Sequence, residues 1–320
     1  MTNDLLSVRG LRVEVGGRRV LENVDLRVSR GEVVGVVGET GSGKSMTCRA
    51  VTGLLGRVGG RAVSGSIDFD GLDLLRLSSA GWRSVWGRRI ALVSQSSLSG
   101  LDPIMRIGRQ LRETIKVLAP DVDASARASE LLEAVRMPQV SDVMHAYPHE
   151  LSGGMRQRVV IALALAGSPD LLLADEPTTA LDVTVQRGIL ELLAELREQT
   201  SMGLVLITHD LQLVRSVADR VVVMYAGRTV EDTASTDIFA APGHPYTQAL
   251  LAAQPSNAAD GQMLYALPGA PPSLDDLLPG CPFAPRCPHT QDACKSGPVE
   301  LRGLTDGRRL ACVQAEEVMA

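Results

Sequence analysis

Apolar and polar residues alternate through Leu5–Val15 and again through Val20–Val28, with Gly16–Gly17 between the two stretches. A period of two with a glycine pair at the reversal predicts an antiparallel hairpin with one wet face. Residues 33–38, Val-Val-Gly-Val-Val-Gly, drop the alternation. An unbroken apolar run of that length suits a strand buried on both faces of a parallel sheet. A glycine-rich loop follows, then a helical pattern from about Lys44 to Leu55. Ile90–Ser94, Leu171–Asp175, Leu204–Thr208 and Val221–Tyr225 repeat the buried-strand pattern, and helical periodicity lies between them, above all at Val183–Gln199. Strand and helix alternating in this way predict an α/β fold with right-handed crossovers.

Two stretches depart from that rhythm. Between Gln95 and Pro169, the segments Ile107–Leu118, Ala124–Met137 and Ser152–Ala166 are helical in period with no strand between them, which predicts a helical insertion over about 96–168. Beyond Thr233 the chain carries eleven prolines from Pro242 to Pro298 and four of its five cysteines. Such proline density excludes long helices and central strands, so a small, loop-rich domain that needs a staple is expected over 236–320.

Composition narrows the function. With 45% apolar and 22% charged residues the chain has material for a real core, and with 3% aromatics that core must be aliphatic. A formal charge of -5 leaves no footprint for nucleic acid, so none is expected as a partner. The longest apolar stretches, Val159–Ala166 and Val221–Ala226, are far short of the roughly 20 residues that span a bilayer. The polar, acidic start lacks the layout of a signal peptide. A cytoplasmic chain is expected, with any membrane role supplied by a partner.

The strongest chemical signal is Gly38-Glu39-Thr40-Gly41-Ser42-Gly43-Lys44-Ser45, a G-x-x-x-x-G-K-[ST] loop between a buried strand and a helix. Glycines let backbone N–H groups converge on phosphates, and the N-terminus of the following helix adds its positive dipole end. Lys44 can reach the β- and γ-phosphates and the Ser45 hydroxyl can ligate Mg²⁺. Met46 is the next residue on that helix. A second element must supply a carboxylate for Mg²⁺ and a group for the attacking water. In Leu171-Leu-Leu-Ala-Asp-Glu176, Asp175 emerges from a buried strand and Glu176 follows it.

Leu151-Ser-Gly-Gly-Met-Arg-Gln157 resembles the signature motif of ATP-binding cassette (ABC) ATPases, placed shortly before the acidic pair as in that family. Gln95 resembles the Q-loop glutamine, Ala180-Leu181-Asp182 the D-loop, and His209 the switch histidine. The resemblance runs from about residue 5 to 235 and implies a P-loop NTPase cassette over 1–235: a parallel-sheet core, an antiparallel β subdomain and the inserted helical subdomain. It implies Glu176 as general base, His209 as a γ-phosphate contact, and Gln95 as a link between Mg²⁺ and transport subunits. It also implies ATP sandwiched between two subunits, with Ser152, Gly153 and Gly154 gripping the γ-phosphate across the dimer, beside Gln157 and the D-loop Asp182. The aromatic residue on which many cassettes stack adenine has no counterpart here, since no aromatic occurs between Arg9 and Asp25.

The tail resembles one branch of the family. Phe239–Leu251, Leu267–Leu274 and Gly280–Pro288 look like the C-terminal region of oligopeptide and dipeptide importer ATPases, with nickel importers as close cousins, and the chain is most similar to their D-type member. That implies a peripheral subunit on the cytoplasmic face of the membrane. Its implied partners are two transmembrane permease subunits, a paralogous F-type ATPase or a second copy, and an extracytoplasmic substrate-binding protein. Import of another solute is the first alternative; a non-transport ABC ATPase or a nucleotide-dependent regulator is the second. Cys281, Cys287, Cys294 and Cys312 lack the C-x₂₋₄-C knuckle usual in zinc sites. The resemblance implies a [4Fe–4S] cluster on these four, with structural zinc and unliganded thiols as the alternatives. Cys48, on the helix after the phosphate loop, reads as a small core residue.

Overall fold

The computed structural model describes residues 4–94, 100–178, 181–254, 267–272 and 279–315. In chain order the elements are β1 (Asp4–Val15), β2 (Arg18–Ser29), β3 (Val33–Val37), α1 (Lys44–Val51), β4 (Gly60–Phe69), β5 (Leu72–Asp73), α2 (Ser79–Val85) and β6 (Ile90–Val93). Four helices follow, α3 (Ile107–Leu118), α4 (Ala124–Ala134), α5 (Val140–His145) and α6 (Gly153–Ala164). Then come β7 (Leu171–Asp175), α7 (Val183–Thr200), β8 (Gly203–Ile207), α8 (Leu211–Val217), β9 (Arg220–Tyr225) and β10 (Arg228–Ala234). The chain closes with α9 (Ser235–Ala240), α10 (Pro245–Ala252), β11 (Arg302–Gly303) and β12 (Arg309–Leu310). These elements form two compact units, one of residues 1–5, 28–33 and 76–207, the other of residues 6–27, 34–75 and 208–320.

In the first unit β6, β7 and β8 run parallel, in register from Ile90↔Leu171 and Leu171↔Gly203. Leu171 through Ala174 and Leu204 through Ile207 are at most 1% exposed, as unbroken apolar runs require when both faces are covered. The helical segment consists of α3 to α6, and two of these helices, α4 and α6, start at a polar side chain that caps them. Asp123 accepts from Ser125 and Ala126 N–H ahead of α4, and Ser152 from Met155 N–H ahead of α6.

The second unit holds the hairpin of β1 and β2, which turns at Gly16 and Gly17 with φ of 57° and 80°. Two successive positive φ values are the I′-type reversal that matches strand twist. β4 pairs antiparallel with β1, β9 antiparallel with β10 and parallel with β3, and β10 antiparallel with β12. The pattern Arg-Thr-Val-Glu-Asp-Thr-Ala of β10 escaped the hydrophobic reading because its acids are inside: Glu231 is 0% and Asp232 2% exposed. Burial is tolerable because each is partnered. Asp232 pairs with Arg220 and Arg309, and Glu231 accepts the N–H groups of Gly243 and His244 at 2.8 and 3.0 Å. Among the described residues of the proline-rich tail the longest helix, α10, places Pro245 at its first position, where a missing N–H costs nothing.

Candidate functional site

The phosphate loop leaves β3 and enters α1 within the second unit. Gly38 has φ 152°, and a Cβ there would sit 2.2 Å from the Met224 carbonyl oxygen; Gly43, with φ 103°, would place one 2.5 Å from Leu21 Cδ2. Both positions therefore demand glycine. The loop closes on itself through Ser42 N–H to Glu39 O at 3.1 Å, and is tied to the turn after β9 through Gly227 N–H to Ser42 O at 3.0 Å. Lys44 is 5% exposed, and its ammonium donates to Gly38 O at 2.7 Å, Glu39 O at 2.9 Å and Ser42 Oγ at 3.4 Å. α1 starts directly after Gly43 and has no side-chain cap, so the positive end of its dipole faces the loop. Thr40 and Gly41 are exposed, while Ser45 and Met46 on the first turn of α1 are half-buried. The arrangement is a cradle of donors around one buried ammonium, chemistry suited to a polyphosphate.

His209 also belongs to this unit, exposed in the short link from Thr208 to α8. The link is fixed on both sides. Thr208 N–H donates to Val36 O at 3.2 Å, and Asp210 caps α8 by accepting from Gln212 N–H at 2.8 Å.

The other expected residues lie in the first unit. Asp175 ends β7 and Glu176 follows, both half-buried. Glu176 adopts φ +50°, while its N–H donates to Ile207 O at 2.9 Å. A left-handed backbone costs about 1–3 kcal/mol in a non-glycine residue and persists where the surroundings impose it, which is common at working sites. Ser152 is exposed and caps α6 through its Oγ at 3.3 Å from Met155 N, with Gly153 and Gly154 in the first turn. A Cβ at Gly154 would come 2.7 Å from Val185 Cγ1. Gln157 is 3% exposed, and its Nε2 finds no acceptor among the described residues. Asp182 caps α7, accepting from Val185 N–H at 3.0 Å. Ser152 and Asp182 thus do structural work as helix caps whatever else they contact. Gln95 and Ala180 fall outside the described residues.

Cys281, Cys287, Cys294 and Cys312 are all free, and burial pushes the Cys281 thiol up to about 11, with the other three adding to the rise. Among the described residues no group of three or more His, Cys, Asp or Glu is disposed to hold a metal ion. The expected [4Fe–4S] or zinc site therefore gains no support from the placement of these four side chains.

Sequence reasoning missed what surrounds Glu39. Tyr246 Oη accepts its N–H at 2.9 Å and Arg286 pairs with its carboxylate at 2.9 Å. Three of the scarce aromatics, Tyr225, Tyr246 and Phe283, pack there with ring centroids 4.5–5.4 Å apart. The only available signal was their company: rare residues gathered in the strand and tail segments after residue 220.

The family described as "ABC transporter" matches residues 21–179, and the one described as "Oligopeptide/dipeptide transporter, C-terminal region" matches residues 230–294. The dipeptide transport ATP-binding protein DppD of Escherichia coli is 45% identical over 314 residues, covering 96% of each chain. The chain belongs to the ABC transporter family. This ABC ATPase is also 43% identical to the oligopeptide transport ATP-binding protein OppD of E. coli, covering 98% of this chain and 94% of that one. Among solved structures it resembles a dimeric ATP-binding cassette in a post-hydrolysis state bound to ADP and Pi, with TM-score 0.63 and 26% identity over 72% of this chain and 98% of that one. A second is CbiO1 of Clostridium perfringens, part of an ABC transporter complex, with TM-score 0.65 and 26% identity over 75% and 92%. The ABC ATPase fold and ATP hydrolysis follow from membership. Among the described residues no helix is long and apolar enough to cross a membrane.

Proposed function

We propose that this ABC ATPase is the ATP-hydrolysing subunit of an importer for oligo- or dipeptides, bound to the cytoplasmic face of two transmembrane permease subunits. The observation that carries the reading is the near-full-length similarity to dipeptide and oligopeptide transport ATP-binding proteins, tail included. Within it, the amides of Gly41 to Ser45 and the Lys44 ammonium bind the β- and γ-phosphates, and Thr40 and Met46 border the nucleotide. Glu176 takes the proton of the attacking water and His209 steadies the γ-phosphate. Ser152, Gly153, Gly154, Gln157 and Asp182 serve the nucleotide held by the opposing subunit, an F-type paralogue or a second copy. Mg²⁺ supplies charge neutralisation, and the donor set of Ser45 hydroxyl, Asp175 carboxylate and Gln95 amide oxygen suits a hard cation.

The reading is tested by reconstituting the chain with its permease and titrating a peptide-loaded binding protein. ATP turnover that rises with the peptide-loaded form supports it, and turnover indifferent to peptide refutes it. We also propose that Cys281, Cys287, Cys294 and Cys312 hold a [4Fe–4S] cluster, a reading supported by the donor chemistry of four cysteine side chains. Iron and sulfide analysis of anaerobically purified protein tests that assignment, and colourless protein with stoichiometric zinc overturns it.

A further inference from the structure

Every polar group of Glu39 is held. Its N–H donates to Tyr246 Oη at 2.9 Å, its carbonyl accepts from Lys44 Nζ at 2.9 Å and Ser42 N–H at 3.1 Å, and its carboxylate takes both prongs of Arg286. Arg286 Nη1 lies 2.9 Å from Oε2 and Nη2 3.2 Å from Oε1. The same guanidinium donates to Tyr225 Oη at 3.1 Å and to Pro268 O at 2.8 Å. It also lies 5.8 and 5.9 Å from the ring centroids of Tyr225 and Phe283. Its side chain is 5% exposed, against 27% for that of Glu39. An arginine this buried, with its planar fork satisfied on several sides, is fixed rather than fluctuating.

The placement is chemically pointed. Glu39 is the second residue of the phosphate loop, and a free carboxylate there would repel the triphosphate that the loop must attract. Arg286, in the cysteine-rich tail and next to Cys287, pairs with that carboxylate and neutralises it. We propose that Arg286 is a positioning residue for ATP binding, through which the C-terminal tail acts in cis as a clamp on the phosphate loop. The proposal rests on the reading of residues 38–45 as the ATP site. It extends that reading by giving the tail a role in nucleotide affinity.

The test uses the purified full chain and a fluorescent N-methylanthraniloyl ATP with Mg²⁺. Arg286→Ala is expected to weaken binding about tenfold, raising KM for ATP with kcat at saturation changed less than about twofold. Arg286→Lys keeps the charge without the fork and falls between. The deciding variant is Arg286→Ala combined with Glu39→Gln: removing the uncompensated carboxylate recovers most of the lost affinity, which no general loosening of the tail would allow. Wild-type affinity in Arg286→Ala, or a double variant as weak as the single, overturns the clamp. If Arg286→Ala does not fold, Arg286→Lys with and without Glu39→Gln carries the same comparison. Failure of the unaltered chain to bind the probe would instead overturn the ATP-site reading itself.

Discussion

His244 caps α10 with its ring, Nδ1 accepting the Tyr246 N–H at 3.0 Å, in a site where the residue is 1% exposed. That bond needs an unprotonated Nδ1, so the imidazole must be neutral. Burial pulls its pKa down from 6.5 to about 4, against a smaller opposing effect of a backbone hydrogen bond at Ala311. Between those two values the unfolded chain binds a proton that the folded chain refuses. The stabilising contribution is therefore complete above pH 6.5 and lost as the pH falls toward 4. For a change from pH 7 to pH 5 the loss is about 2 kcal/mol. His244→Asn keeps an acceptor at the cap but removes the titrating ring. Denaturant unfolding of both proteins at pH 7 and pH 5 isolates the effect, because every other carboxylate and histidine is common to the pair. The wild type should lose about 2 kcal/mol more than the variant on acidification. Equal losses would refute a buried neutral His244.

Three further outcomes are expected. Glu176→Gln should leave ATP binding intact while lowering hydrolysis by about two to four orders of magnitude, the usual range for a lost general base, and so trap an ATP-bound dimer visible by gel filtration. Near-normal turnover would remove Glu176 from that role. Gly38→Ala should abolish nucleotide binding and lower the melting temperature, because its Cβ has nowhere to go against the Met224 carbonyl; unchanged nucleotide affinity would contradict the loop geometry. Tyr246→Phe strips the acceptor from Glu39 N–H and should cost about 1–3 kcal/mol in stability by denaturant unfolding. No loss there would mean that water replaces the phenol.

The buried strands were readable in the sequence because a strand covered on both faces must be apolar at every position, as Leu171–Ala174 and Val221–Tyr225 are. The phosphate loop was readable for a related reason: its backbone geometry admits only glycine at Gly38 and Gly43, so physics leaves a spelling in the chain. The family's other motifs were legible by resemblance, and at Ser152 and Asp182 helix capping adds a local reason for the residue type. What the sequence could not show was any contact whose partners are distant along the chain and chemically ordinary. β10 hid its strand character because Glu231 and Asp232 are buried against groups that only folding brings to them. Arg286 looked like one arginine among many, and its pairing with Glu39 joins residues 247 positions apart. Local pattern records what backbone conformation and burial demand of each residue. Tertiary structure alone decided that the proline- and cysteine-rich tail reaches the phosphate loop, because that contact depends on which buried charges find one another.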